Sequence, residues 1–485
     1  MSLSLFIAFL PELVLLAGGL VLFYLTLGES RTRPARIASL LIAVATIGAC
    51  VVALRAEAQL FYDAYRVDGF SQLLKLVFAA GYLFTVLLCR DFDDIRADIR
   101  PEFYLFLNLS LIGFVLLVSS VDIITLVVSL ELSSFPLFLL VAMRREREGQ
   151  KSQMESAMKF MMFGVGANGI MLFGLSYLFG LTGTTSLPLM IQKLQPVIDT
   201  PLAIAGLGLT MAGLFYKLAV FPFHFWTPDV YQGSSNETAG IIASLPKVGA
   251  VVVLVRVVSA AKPDSHTIAQ LLTFLAIASM FYGNLVALIQ RDVKRLLGFS
   301  TIAHAGYTLL GLVALDAFGY AAALYYIIGY LFMVLACFTV VSRVSHDGAN
   351  VALEDLAGLH KRSPLLTATL VIGVFALAGI PPFVGFMGKF TLLTAALSKG
   401  HLALVIIAVI NAAIAVYYYL RIVREAFFRD SPDGAPPVIA LDWSTRVLCV
   451  LLIAGIIALG VMPSVIIDTI ASSVSNLAVP LIAGR

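Results

Sequence analysis

Runs of about twenty apolar residues follow one another from end to end of the chain, separated by short breaks rich in charge, proline or glycine. A helix of about twenty residues, rising 1.5 Å per residue, crosses the hydrocarbon of a bilayer, so each run predicts a membrane span. The spans fall near residues 3–27, 36–55, 70–90, 102–119, 121–143, 155–181, 200–234, 236–260, 266–290, 294–315, 317–344, 363–399, 401–427 and 443–472, with ends good to a few residues. The pattern predicts an all-α polytopic membrane protein of about fourteen transmembrane helices. Two runs, 200–234 and 363–399, are too long for one straight helix. Each carries proline in its middle: Val220-Phe221-Pro222-Phe223 in the seventh span and Gly379-Ile380-Pro381-Pro382 in the twelfth. Proline lacks a backbone donor and clashes with the preceding turn, which predicts helices broken inside the membrane at both places.

The two breaks suggest an internal repeat. The seventh span is fourth in the group of helices 4–8, and the twelfth is fourth in the group 9–13. Five is odd, so successive units insert upside down relative to one another, the inverted-repeat arrangement in which sites lie near the bilayer midplane. The second helix of each group also carries an ionisable residue mid-span, Glu131 in SLELSSFPLF and His304 in FSTIAHAGYT. The expected division is an N-terminal three-helix segment at 1–100, a first five-helix repeat at 101–262, a second, inverted one at 263–430 and a C-terminal helix at 431–485.

Composition removes the soluble alternative. Of 485 residues, 60% are hydrophobic and 13% charged, where a soluble domain carries about 25% charged residues; mean hydropathy is +0.97. The net charge of +3 is spread over short loops with no basic stripe, so nucleic acid is not an expected partner. Cys50, Cys89, Cys337 and Cys449 all fall in apolar spans, far from any CxxC spacing, and encode neither a zinc site nor an iron-sulfur cluster. The first apolar run lacks a basic leader and an A-x-A cleavage site, and reads as a retained helix. About twenty basic residues near span ends share one face, among them Arg31, Arg33, Arg36, Arg90, Arg144, Arg145, Arg291, Lys294, Arg295, Lys361, Arg421 and Arg424, against about seven on the other. The richer face is the expected cytoplasmic one. An even number of helices then places both termini on the opposite face, the periplasm of a bacterial inner membrane.

Candidate chemistry lies in the spans themselves. An ionisable side chain at the centre of a spanning helix costs about 2.5–3.5 kcal/mol on insertion scales, so several together ask for a reason. Glu131, Lys217, Lys247, His304 and Lys389 all sit at such depth, with Lys217 about one turn before Pro222 and Lys389 just after Pro381-Pro382. Structural ion pairing needs matched opposite charges, whereas three lysines and a histidine here face one deep carboxylate. An amine buried without a counter-charge exchanges its proton near neutral pH, which is what a relay requires. Lys217, near the end of a half-helix, is expected to meet that end's partial negative charge, and a carboxylate at Glu131 on an adjacent helix would tune how tightly it holds its proton. His224, in PFHFWTPD, either lines the same hydrated path or donates to carbonyls freed by the break. Lys159 is the outlying candidate, early enough in its span to snorkel to the cytoplasmic interface, and Lys75 is placed to snorkel as well. Glu12 reads as a packing or partner contact, and Asp229 and Glu237 as solvated or hydrogen-bonded loop residues.

The segment Gly213 to Gly233, GLFYKLAVFPFHFWTPDVYQG, closely resembles the antiporter-like membrane subunits of respiratory complex I, and its TPDVYQG ending is most similar to the subunit N branch. RDVKRLLGFSTIAHAGY (Arg291 to Tyr307), AGIPPFVGFMGKF (Ala378 to Phe390) and SLELSSFPLF carry the resemblance over essentially the whole chain. A lysine at 389 separates the chain from the branch that carries glutamate there, and its length from the branch with an added lateral helix. One departure is GSSNETAGIIASLPKVGA (Gly233 to Ala250), where the commoner pattern is richer in proline before helix 8.

The resemblance implies fourteen helices with two inverted repeats and broken helices 7 and 12, with the helix 5 glutamate at Glu131, the helix 7 and 8 lysines at Lys217 and Lys247, the helix 10 histidine at His304 and the helix 12 lysine at Lys389. It implies proton translocation from cytoplasm to periplasm, coupled to electron transfer in partner subunits. No nucleotide, flavin or metal motif occurs in this chain, so NADH, FMN, iron-sulfur clusters and quinone are expected in those partners. The expected neighbours are other antiporter-like and small membrane subunits, and the lipid bilayer. Two alternatives stay open: a subunit of a cation/proton antiporter or membrane-bound hydrogenase complex, and a structural membrane spacer.

Overall fold

The computed structural model describes residues 3–28, 31–89, 92–145, 152–261, 265–430 and 438–478. Arg90 and the expected division points at residues 262, 263 and 431 lie outside them. The helices in chain order are α1 (Leu3–Ala8), α2 (Leu10–Thr26), α3 (Thr32–Ala53), α4 (Gly69–Leu88), α5 (Arg100–Ser119), α6 (Ile123–Ala142), α7 (Ser152–Thr182), α8 (Leu187–Leu194), α9 (Pro201–Leu218) and α10 (Trp226–Gly233). They continue with α11 (Asn236–Val258), α12 (His266–Ala287), α13 (Val293–Val313), α14 (Ala317–Val344), α15 (Leu359–Arg362), α16 (Pro364–Ala378), α17 (Val384–Ser398), α18 (Leu402–Val423), α19 (Trp443–Val461) and α20 (Pro463–Ala478). Twelve helices among the described residues are long and apolar enough to cross a bilayer. With α2, and with α16 and α17 taken as halves of one broken span, they supply the fourteen expected crossings.

Both expected breaks are present, between α9 and α10 and between α16 and α17. The last apolar run divides at Met462 into α19 and α20. Two features that no apolar run announced lie between spans. One is a short antiparallel hairpin, β1 (Ala58–Leu60) on β2 (Tyr65–Val67). The other is α8, whose buried residues Leu187, Met190 and Leu194 share one helical face. Several helices start on an aspartate, whose carboxylate accepts otherwise orphaned first-turn amides: Asp68 for α4, Asp122 for α6, Asp292 for α13, Asp316 for α14 and Asp442 for α19. Asp68 is met reciprocally by Ser71, whose hydroxyl accepts from the Asp68 amide.

The chain packs as two compact units: Met1–Lys217 with Gly249–Ser265 and Ser472–Arg485, and Leu218–Val248 with His266–Ala471. In the first, α3 and α7 carry exposed Leu41, Val44, Phe163 and Phe173, as helices facing lipid do. In the second, α13 and α14 are buried over nearly their whole length, while α18 and α19 expose Ile406, Val409 and Val450. Polar chemistry on α13 is therefore interior chemistry.

Two expectations fail, for reasons of packing. Lys75 does not snorkel: it lies about two turns inside α4, is fully buried, and stands 2.5 Å from the buried Glu12 carboxylate of α2. Asp229 and Glu237 are not loop residues, because α10 and α11 begin immediately around them. Asp229 pairs with Arg295 of α13 at 2.7 Å, and Glu237 accepts from the Ser342 hydroxyl of α14 at 2.6 Å.

Candidate functional site

The first break begins where α9 ends. Ala219 takes a left-handed conformation, φ 68°, which costs an L-residue roughly 1–2 kcal/mol, and Pro222 prevents the helix from resuming. The Phe221 amide freed by the break donates to Ser279 Oγ of α12 at 3.0 Å. Lys217 is the second-last residue of α9. Its ammonium group donates to Ser134 Oγ of α6 at 2.6 Å, and Ser134 donates to the Leu130 carbonyl at 2.7 Å. Glu131 follows Leu130 on that helix, so the helices of Lys217 and Glu131 are adjacent. Glu131 is half-buried and accepts a hydrogen bond from Asn168 of α7. Ser134 and Asn168 were not singled out in the sequence, although both interrupt apolar runs.

The second break has the complementary geometry. Helix α16 ends on Gly379, φ 87°, whose amide donates to the carbonyls of Phe375 and Ala376 at 3.0 Å each. The carbonyls of Leu377 and Ala378 are left over at the negative end of the helix. Lys389, from the other half-helix α17, donates to both of them at 3.0 Å and lies 4.8 Å from the ring centroid of Tyr307. Among the described residues no carboxylate pairs with it. Glycine is required twice here. A Cβ on Gly379 would stand 3.0 Å from Lys389 Cδ, and one on Gly385 only 1.7 Å from the Ala376 carbonyl oxygen, closing the crossing of the two halves. Both lysines thus sit at a half-helix end, Lys217 in the last turn of α9 with Ser134 of α6 as a partner, and Lys389 on the last carbonyls of α16.

Lys247 of α11 is fully buried, its ammonium 4.4 Å from the centroid of Trp226, the residue that starts α10. His304 of α13 is held from both sides: Nδ1 lies 2.6 Å from Tyr326 Oη of α14 and Nε2 lies 2.9 Å from Tyr419 Oη of α18. Tyr419 reaches Ser300 at 2.5 Å, and Tyr330 reaches Thr301 at 2.8 Å. Each hydroxyl can donate and accept, so Tyr326, His304, Tyr419 and Ser300 form one continuous hydrogen-bonded chain. The tyrosines were not singled out in the sequence; Tyr326 and Tyr330, four residues apart on α14, were a signal for one polar face in an apolar helix.

His224, between α9 and α10, is buried and packs on Phe221 and Tyr282, with ring centroids 5.4 and 4.3 Å away. Neither of its nitrogens has a hydrogen-bond partner among the described residues, so the carbonyl contact is not seen. Lys159 is half-exposed and pairs with Glu155 one turn earlier at 2.6 Å. None of the four cysteines forms a disulfide, and all four are buried. No group of three or more metal-ligating side chains occurs among the described residues.

Broken half-helices holding buried lysines define a class. Residues 120–415 match the family described as NADH:quinone oxidoreductase/Mrp antiporter, transmembrane, and the chain belongs to that family. Within it the chain is 63% identical to NADH-quinone oxidoreductase subunit N 2 of Opitutus terrae, over 97% of this chain and 98% of that one. A chain of respiratory complex I from Thermus thermophilus superposes with a TM-score of 0.81 at 31% identity, covering 94% of this chain and 98% of that one. A chain of the Mrp complex from Dietzia sp. shares the fold, with a TM-score of 0.87 at 20% identity and coverage of 99% and 98%. The end-to-end match places the chain in the subunit N branch.

Proposed function

We propose that the chain is a proton-translocating module of NADH-quinone oxidoreductase. It takes protons from the cytoplasm, holds them on Lys217 and Lys247, and passes them by way of His304 and Lys389 towards the periplasm, with the Glu131 charge tuning Lys217. The observation that carries this reading is the seat of Lys389 on two carbonyls. An ammonium has three N–H groups and a neutral amine two. Two carbonyls are satisfied by either form, so a proton can leave or return without breaking a contact. Lys217 on a serine hydroxyl and His304 between tyrosine hydroxyls have the same property.

The arrangement also supports the division into two inverted five-helix repeats, 101–262 and 263–430, each carrying one break, with three helices before them and one after. Both termini lie in the periplasm and the chain in the bacterial inner membrane. NADH, FMN, iron-sulfur clusters and quinone belong to partner subunits, and the energy arrives through neighbouring membrane subunits as a change of charge or hydration. His224 is a secondary member of the relay, and Lys159 a peripheral one.

The experiment is Lys247→Ala in the assembled complex. Lost proton pumping with normal assembly supports the relay, whereas normal pumping with defective assembly supports a structural spacer. Sodium-dependent flux from the isolated complex would favour the cation/proton antiporter reading.

A further inference from the structure

The half-helix α10 is eight residues long and has non-helical chain on both sides, residues 219–225 before it and Ser234 and Ser235 after it. A helix this short is not stable in isolation, so its placement is set by what packs against its flanks. The placement matters for one side chain in particular. Trp226, the first residue of α10, is 2% exposed and stands 4.4 Å, ring centroid to nitrogen, from the Lys247 ammonium. An ammonium is attracted to an indole only over its face, so the contact depends on how α10 is turned about its own axis.

The first turns of α13 fix that rotation. Arg295 Nη1 donates to Asp229 Oδ1 at 2.7 Å and to Gln232 Oε1 at 3.2 Å. Gln232 donates through Nε2 to Asp292 Oδ2 at 3.3 Å, and Asp292 Oδ1 accepts the Arg295 amide at 2.8 Å. Arg295, Gln232 and Asp292 therefore close a ring of hydrogen bonds, with Asp229 attached to it. Lys294 adds a bond to the Ser234 carbonyl, just past the end of α10, at 2.8 Å. One turn further along α13, Gly298 lets the two backbones approach: a Cβ there would stand 3.0 Å from Pro228 Cα.

The Arg295–Asp229 pair is poorly placed to act as a fastener. Its side chains are 33% and 30% exposed, and an ion pair in contact with water adds little to stability. Its geometry is the specific feature. Asp229 and Gln232 are three residues apart and so neighbours on the helix surface, and Asp229 is itself three residues after Trp226. A guanidinium bound to both residues resists rotation of the helix that carries the ring.

We propose that Arg295 is a positioning residue for Lys247: held on Asp229 and Gln232, it fixes the rotation of α10 and so keeps the face of Trp226 against the Lys247 ammonium. The ring attracts the ammonium and not the neutral amine. A turned α10 therefore weakens the seat on which Lys247 holds its proton, while leaving Lys247 itself in place on α11. The inference rests on the relay through Lys247 proposed above.

The test measures protons pumped per NADH oxidised by the assembled complex in membrane vesicles, with the amount of complex read on native gels. The variants are Lys247→Ala, Trp226→Leu, Arg295→Gln, Arg295→Lys and the double variant Trp226→Leu with Arg295→Gln. The expected result is a parent amount of complex in Arg295→Gln with a pumping ratio lowered as far as in Trp226→Leu. The double variant should lose no more than Trp226→Leu alone, because two residues acting through one contact are not additive. Arg295→Lys, which keeps a cation for Asp229, should recover the ratio. A parent ratio in Arg295→Gln alongside a lowered one in Lys247→Ala overturns the positioning role and leaves the relay standing, whatever the amount of complex. Losses that add in the double variant overturn it too, since Arg295 then acts elsewhere. A parent ratio in Lys247→Ala overturns the relay, and this inference with it. Should Trp226→Leu fail to assemble, recovery in Arg295→Lys decides: a ratio as low as in Arg295→Gln overturns the role.

Discussion

The two helix breaks place a lysine in the same neighbourhood and hold it in different ways. At the first, Lys217 belongs to the half-helix that is ending, and reaches sideways to a serine hydroxyl on α6. At the second, Lys389 belongs to the half-helix that is beginning, and reaches back to the last carbonyls of the half that has ended. A hydroxyl both donates and accepts, so Ser134 can follow Lys217 through either protonation state by turning its own proton. A carbonyl only accepts. Lys389 must keep two N–H groups pointed at α16, and its third, in the ammonium form, is the one free to travel. In the proposed relay the two seats keep their contacts by different means: a hydroxyl that can donate or accept at Lys217, two fixed acceptors at Lys389. The carboxylate influence differs too. Glu131 lies on the helix that seats Lys217, while no carboxylate pairs with Lys389 among the described residues.

The comparison is broken most directly by removing each amine. Lys389→Ala and Lys217→Ala should each abolish the pumping contributed by this subunit while NADH oxidation by the complex is assayed in parallel; vesicle acidification measures the loss. If one variant pumps normally, its break is not part of the path. Gly379→Ala comes next, because the added Cβ meets Lys389 and the residue must keep a left-handed φ. Strain of this kind costs about 1–3 kcal/mol, so the variant should lower the amount of assembled complex on native gels and its pumping together. Glycine at 217's break is absent, so no equivalent single methyl tests that side.

Ser134→Ala sharpens the difference further. It removes a hydrogen bond to a charged group, worth roughly 1.5–3 kcal/mol, and should reduce pumping without abolishing it, whereas Ser134→Thr, which keeps the hydroxyl, should restore it. No side-chain substitution can do the same at the Leu377 and Ala378 carbonyls, which is itself part of the contrast. The smallest effect is expected from Tyr307→Leu. It removes the ring face near Lys389, a contact worth about 0.5–2 kcal/mol, and should leave assembly at the parent's level while changing the pH at which pumping is half-maximal. An unchanged pH profile would mean the ring serves packing alone.

Much of the frame was legible in the residues. The apolar runs and their prolines locate the spans and both breaks, because span length is fixed by bilayer thickness and proline acts on its own helix. The deep lysines stand out because charge is rare in such runs. Lys75 was misjudged because its distance from the span end says nothing of what covers it; a hairpin and α2 do. The tyrosines around His304, the serine under Lys217 and the asparagine on Glu131 come from other helices, and single polar residues in apolar runs do not announce their partners.

The sequence by itself determined that the chain crosses a membrane about fourteen times, that two crossings are interrupted, and that Glu131, Lys217, Lys247, His304 and Lys389 lie within spans. These follow from local rules: hydrocarbon tolerates only satisfied backbone, and chain chemistry decides where a helix stops. Only the tertiary structure decided what each buried group touches, that Lys389 rests on carbonyls while Lys217 rests on a hydroxyl, and that Glu12 and Lys75 meet. Those contacts join residues from a dozen to more than a hundred positions apart, and their geometry is set by how helices pack rather than by anything a single helix carries.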